Sequence, residues 1–223
     1  MKYLRDPLGR PIPRIFFEDL NELDTACEAI IGDFTQRRYG RFRLPIPTDA
    51  LINLIAEETD ELDLYSQLPD GVEGLTDFYS DRRPRVRIAD DLSNARRVHR
   101  LRTTLAHEYG HVRFHAPLWR KVGALEQQRV QAPSWTCAWN TIVDAPENDW
   151  MEWQAGYVCG ALLMPRSEIR EFAHLYAMAR GLAMPLGANS AESVELIGFA
   201  GQKFEVSRLA ARIRMLKLRL LVD

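Results

Sequence analysis

Leu105-Ala106-His107-Glu108-Tyr109-Gly110-His111 constrains this chain more than any other stretch, because it sets two imidazoles and a carboxylate within about one helical turn. Residues four apart stack on one face of a helix, so His107 and His111 can offer ring nitrogens to a single metal ion. Glu108 lies one step round from His107, beside the metal rather than on it. A general base is wanted there, next to a water whose pKa a bound zinc lowers to about 7. With five histidines in 223 residues, a chain meets H-E-x-x-H by chance in roughly one case per hundred. The pattern therefore needs a helix to carry it and a third ligand from another element.

The helix is expected over residues 92–114, where Val98, Leu101, Leu105 and Val112 recur at helical spacing. Asp90 or Asp91 is placed to cap its start, and Pro117 stops it. His115 follows His111 by four residues, but on a continuous α-helix it sits about 6 Å further along the axis. Zinc sites that take a third histidine from just downstream turn the chain with glycine first, and Val112-Arg113-Phe114 has none. A buried, hydrogen-bonded His115 is the better reading.

Glu152 is the expected third ligand. Glu152, Ala155, Cys159 and Leu162 share one face of an otherwise apolar helix, with Ala155, Gly156 and Gly160 small enough for a close neighbour. Two histidines and a glutamate leave the fourth zinc position open to water, which is the catalytic arrangement. Asp149, Glu147 and Asp144 are its nearest rivals. Cys137, in the irregular stretch between the two helices, is a lesser candidate for a fourth ligand. The same region and the start of the next helix hold Trp119, Trp135, Trp139, Trp150 and Trp153, read equally as a wall over the site or as a loop pinned by its aromatics.

Around this centre the periodicity is mixed. A Pro-rich lead (Pro7, Pro11, Pro13) precedes a helix through Phe17, Leu20, Leu23, Cys27, Ile30, Ile31 and Phe34 that Gly40 ends. Thr48 is placed to cap a short helix carrying Leu51, Leu54 and Ile55. Over residues 61–89 the period becomes two, giving strands around Leu62 and Leu64, at residues 74–79 and at residues 85–89. A small, mostly antiparallel sheet is expected, with an edge able to take an extended peptide by strand addition. Beyond Ser167, helices carry Ile169, Phe172, Ala173 and Tyr176 as far as Gly181, then residues 191–200, then a last one capped by Ser207. The chain divides into an N-terminal helical segment (1–44), a core (45–166) with a Trp-rich insertion (117–149), and a C-terminal helical extension (167–223).

Net charge is −2 and the pI about 6.2, so bulk electrostatics favour neither nucleic acid nor membrane. Arg82, Arg83, Arg85 and Arg87, then Arg96, Arg97, Arg100 and Arg102, and the C-terminal Lys203, Arg208, Arg212, Arg214, Lys217 and Arg219, read as solvated faces. Three scattered cysteines make no disulfide framework, and the N-terminus lacks an apolar leader, so a reducing cytoplasm is expected. The longest apolar run, residues 155–165, is too short to span a bilayer.

Residues 102–111, followed by Glu152-x-x-Ala155 and Leu162-Leu163-Met164-Pro165, resemble the ImmA/IrrE family of zinc metallopeptidases; Gly74-Leu75-Thr76 and Phe204-x-Val206-Ser207 fit its layout. The resemblance spans roughly residues 45–215. It implies an α+β, minimal thermolysin-like (zincin) domain holding one zinc ion per chain at His107, His111 and Glu152, with Glu108 as base. Family members are typically bacterial, and several cleave or inactivate a helix-turn-helix repressor. The stretch from His111 to Glu152 is longer here than in the family pattern, so substrate access differs.

These readings converge on a zinc-dependent endopeptidase acting on a specific protein partner. Tyr157, His115 and His174 are candidates for an oxyanion or substrate contact. The rival is a non-proteolytic metal-binding regulator of transcription, against which the intact Glu108 speaks. A further alternative places the Arg-rich last two helices, joined by a turn at Gly201, on DNA. Packing on the body is favoured instead.

Overall fold

The computed structural model describes residues 20–119 and 150–223, together with the backbone of three strands at Lys2–Arg5, Pro11–Arg14 and Ser134–Ala138. The first two, β1 and β2, pair antiparallel. Among the described residues the fold is α+β, with seven α-helices and a small mixed sheet.

Helix α1 (Leu20–Tyr39) buries Leu23, Cys27, Ile31 and Phe34 along one stripe and stops at Gly40, whose φ of +69° suits glycine. Phe17 lies outside the described residues. Helix α2 (Thr48–Ala56) buries Ala50, Leu51, Leu54 and Ile55. Its cap position is Pro47, and Thr48 is already helical, so the capping expected of Thr48 is not found. The Thr48 hydroxyl instead accepts from Arg102 at 3.3 Å.

The sheet corrects the antiparallel expectation. Strand β3 (Glu61–Ser66) pairs in parallel with β5 (Arg85–Ala89), while β4 (Val72–Asp77) pairs antiparallel with β5, giving the order β3-β5-β4. The chain passes over the β5 position on its way from β3 to β4 and returns through the turn at residues 78–84. The outer edge of β4 is itself taken by β6 (Ser134–Ala138), antiparallel, with Gly74 opposite Cys137 and Thr76 opposite Trp135. The β4 edge is therefore already paired, and the outer strands of this sheet are β3 and β6. In β4, Glu73, Gly74, Leu75 and Thr76 are all buried, so its two-residue alternation is lost.

Two 3-10 turns (Asp90–Ser93 and Ala95–Arg97) lead into α3 (Val98–Gly110). The capping expected of Asp90 or Asp91 is not found: α3 starts after Arg97 with no side-chain cap, and Asn94 caps the second 3-10 turn by accepting from the Arg96 amide at 3.0 Å. After Gly110 the helix widens into a π turn (His111–His115). Helix α4 (Trp150–Leu163) packs against α3, followed by α5 (Arg166–Arg180), α6 (Ala191–Phe204) and α7 (Arg208–Lys217). Two-residue strands β7 (Leu186–Gly187) and β8 (Leu221–Val222) pair in parallel. Ser207 caps α7 by accepting from the Ala210 amide, as its position suggests. Gly201 lies inside α6, and the turn is made at Glu205, with φ of 53°.

One contiguous apolar core runs from Leu23 of α1 to Leu221 of β8. Two arginines are inside it. Arg214 donates to Asp24 of α1 at 2.5 Å and to the Met164 carbonyl at 3.1 Å. Arg102, fully buried, donates to the carbonyls of Ile46 (2.7 Å), Glu205 (3.0 Å) and Phe204 (3.4 Å). Both were grouped by sequence with solvated faces. Their burial fits a C-terminal helical pair that packs on the body. No helix among the described residues is long and apolar enough to cross a membrane.

Arg102→Met would strand the Ile46 and Phe204 carbonyls in the core, and urea unfolding should show a loss of about 2–4 kcal/mol. Arg97→Ala, which removes an exposed ion pair with Asp91, should cost less than about 1 kcal/mol.

Candidate metal centre

The site forms where α3 and α4 cross. A Cβ on Gly110 would lie 3.1 Å from the Ala155 Cα, so a methyl there would ask the two backbones to give by a few tenths of an ångström. The approach brings Glu152, in the first turn of α4, onto the face of α3 that carries His107. His107 Nε2 lies 3.1 Å from Glu152 Oε2 and 3.1 Å from His111 Nε2, and His111 Nε2 lies 3.2 Å from Glu152 Oε1. All three residues are buried. Sequence reasoning named these three, and the fold brings them together. Its rivals Asp144, Glu147 and Asp149, and the Cys137 side chain, lie outside the described residues.

The donor set fits a divalent metal ion. Four ligand atoms around zinc at about 2.0–2.1 Å in tetrahedral array stand about 3.3 Å apart, close to the spacings found here. The three residues are the metal-competent group among those described. Burial alone would raise the Glu152 carboxyl, but the His107 and His111 rings against it outweigh that and hold it well below the usual carboxylate range. It is thus ionised and ready to ligate.

Glu108 is held from the other side, by β4. Its Oε2 accepts from the Thr76 hydroxyl at 2.5 Å, and a Cβ on Gly74 would run into the Glu108 carboxylate. One face of α3 (Arg100, Thr104, Glu108, four apart) meets this strand throughout. Thr104 donates to Glu73 at 3.2 Å, and Arg100 forms an ion pair with Glu73. Sequence reasoning missed Glu73, Thr76 and Thr104; the four-residue spacing of Arg100, Thr104 and Glu108 was the available signal.

His115 is buried and hydrogen-bonded, as expected, and stands beside His111 across the π turn without joining the His107–His111–Glu152 group. Its Nδ1 lies 2.9 Å from His111 Nδ1, and its Nε2 lies 2.9 Å from Gln154 Oε1. Burial drives the His115 pKa well below the usual imidazole value, and the neighbouring His111 pushes the same way. Phe78 stacks on Trp119, and Trp150 meets the His115 ring edge-on at 5.3 Å. With Ala116, Leu118 and Met151 they form a small separate apolar cluster, so Trp119 and Trp150 act as packing groups. The Trp135 and Trp139 side chains lie outside the described residues, and Trp153 stacks on Tyr157.

The other suggested contacts go elsewhere. Tyr157 is buried and donates to Asp24 at 2.9 Å, so its hydroxyl serves the tie between α1, α4 and α7. His174 is exposed on α5, and neither joins the His107–His111–Glu152 group.

The family model for the IrrE N-terminal-like domain, a peptidase family (M78), matches residues 56–216. The chain belongs to that family, which supports a metallopeptidase-type function. No curated protein matches the chain.

Zinc affinity, read by competition with a chromogenic chelator, separates the roles. Glu152→Ala should weaken binding at least about 100-fold, while Glu108→Gln should stay within a few-fold of the wild type. Full affinity in Glu152→Ala would remove Glu152 from the donor set.

Proposed function

We propose that this member of the family is a zinc-dependent endopeptidase that cuts one protein partner, a helix-turn-helix transcriptional repressor, and so switches gene expression. The observation that carries the reading is the buried His107–His111–Glu152 donor set with a separately held carboxylate, Glu108, at the next position. A purely structural or sensing site has no use for that carboxylate.

Zinc held by the three residues would supply Lewis acidity, polarising the scissile carbonyl and making water acidic enough to lose a proton near neutral pH. Glu108 takes that proton as the water oxygen bonds to the carbonyl carbon. It then hands the proton to the amide nitrogen as the C–N bond breaks, leaving a carboxylate and an amine. Thr76 fixes one oxygen of the base, and the bare Cα of Gly74 leaves room for the other. The mixed sheet, with β4 against the base and α3 beneath, supports a minimal thermolysin-like architecture.

The repressor as substrate is supported by the family resemblance of residues 102–111 and 152–165. A single intended target also suits the sheet edge. While β6 stays paired along β4, an extended peptide cannot add to that edge, and turnover of generic peptides should be low.

The test compares new protein N-termini in cells making the wild type or Glu108→Gln. A terminus seen only with the wild type would establish proteolysis and identify the substrate. Its absence, with both proteins holding zinc equally, would leave the non-proteolytic regulator as the better account. On the substrate so found, Gly74→Ala should cut the cleavage rate at least about tenfold at unchanged zinc affinity, because its methyl displaces the base.

A further inference from the structure

His115 and Gln154 have no part in the reaction described above, yet both are buried beside the donor set. They complete a line of hydrogen bonds that begins at a ligand: His111 Nδ1 to His115 Nδ1 at 2.9 Å, then His115 Nε2 to Gln154 Oε1 at 2.9 Å. The protons along this line are ordered by chemistry. An amide oxygen only accepts, so His115 donates from Nε2. A neutral imidazole protonated at Nε2 presents a lone pair at Nδ1. His111 fills that lone pair with its own Nδ1–H, which leaves the His111 Nε2 lone pair facing His107 and Glu152.

We infer that His115 and Gln154 are positioning residues that lock His111 in its Nδ1–H tautomer and fix its ring, so that Nε2 is preset to bind the metal. A free histidine side chain favours the opposite tautomer, whose Nε2–H cannot ligate. The inference rests on the metal site proposed above and adds to it the device that prepares one ligand.

Two features of the fold point the same way. Spacing of four residues sets His115 beside His111 just as it sets His111 beside His107. The turn between them is widened to a π turn, in which the Ala116 amide bonds to the His111 carbonyl five residues back. Gln154 sits two residues after Glu152 on α4, so the helix that supplies one ligand also anchors the orientation of another. His107 has no matching arrangement, since its Nδ1 makes no hydrogen bond among the described residues. The ordering of the pair therefore enters through His111.

The experiment uses the full chain and two readouts. The first is zinc affinity by chelator competition; the second is the His111 tautomer in metal-free protein at mildly alkaline pH, from nitrogen-15 NMR assigned with His111→Gln. His115→Phe keeps the ring volume but removes the acceptor. It should weaken zinc binding about 10- to 100-fold and shift His111 toward the Nε2–H form. His115→Asn returns an amide oxygen near the Nδ1 position and should recover most of the affinity. Gln154→Leu, which frees His115 to take either tautomer, should fall between them and guards against His115→Phe failing to fold.

A merely structural His115 would lower the melting temperature in both His115 variants and leave the His111 tautomer alone. That result overturns the inference, as does an Nε2–H His111 in the wild type or wild-type zinc affinity in folded His115→Phe. The tautomer is read without metal, so it decides the relay even if the wild type bound no zinc, an outcome that would count against the proposed function.

Discussion

The close crossing of α3 and α4 is the constraint from which the site follows. Glycine inside a helix costs about 1 kcal/mol relative to alanine, and Gly110 sits near the end of the helix that carries both histidines. That cost has a visible return. With no Cβ between them, the α3 backbone and Ala155 of α4 meet, and Glu152 arrives within about one metal-ligand edge of His107 and His111. A methyl at this position would press the helices apart. Displacements of a few tenths of an ångström matter where the three side chains already approach one another to 3.1–3.2 Å.

Such a crossing buries many polar groups, and each unanswered one would cost about 1–3 kcal/mol. The fold answers them in sets. Thr104 and Arg100 share Glu73, Thr76 holds Glu108, and Arg102 gathers carbonyls from the segment before α2 and the end of α6. Asp24, Tyr157 and Arg214 tie α1, α4 and α7. These contacts add specificity more than net stability, since an apolar core of the same shape would be about as stable. Their effect is to leave α3 few alternative positions against the strand and the neighbouring helix.

What was legible in the sequence was the part governed by local period. His107, Glu108 and His111 announce themselves by spacing, and Glu152 stands out as a carboxylate opening an apolar helix. The stop at Gly181 and the cap at Ser207 follow from local chemistry and are found in place. Pairing direction was not legible, because Leu62 and Leu64 alternate identically whether their partner runs parallel or antiparallel. Burial of Arg102 and Arg214 was hidden for a related reason: an arginine run reads as a wet face until carbonyls from residues far along the chain are known to converge on it. The π turn leaves no mark in Val112-Arg113-Phe114, but the reading of His115 as a buried, hydrogen-bonded histidine outside the donor set agrees with its contacts to His111 and Gln154.

The proposed base and the donor set have separate supports, and this shapes how the site can respond to change. His107, His111 and Glu152 depend on the contact between two helices, whereas Glu108 depends on β4 through Gly74 and Thr76. The same short run of β4 is paired on its far side with β6. Strand β4 therefore bears on both the proposed base and the edge that β6 occupies. Whatever pairs along that edge lies one strand's width from the strand that seats the base, about 4.8 Å away. Ligation can stay constant while the surroundings of the base change with what occupies the edge. For the proposed single-partner peptidase that separation is useful, because the metal site can stay assembled while the proposed base becomes productive only with the right chain in place.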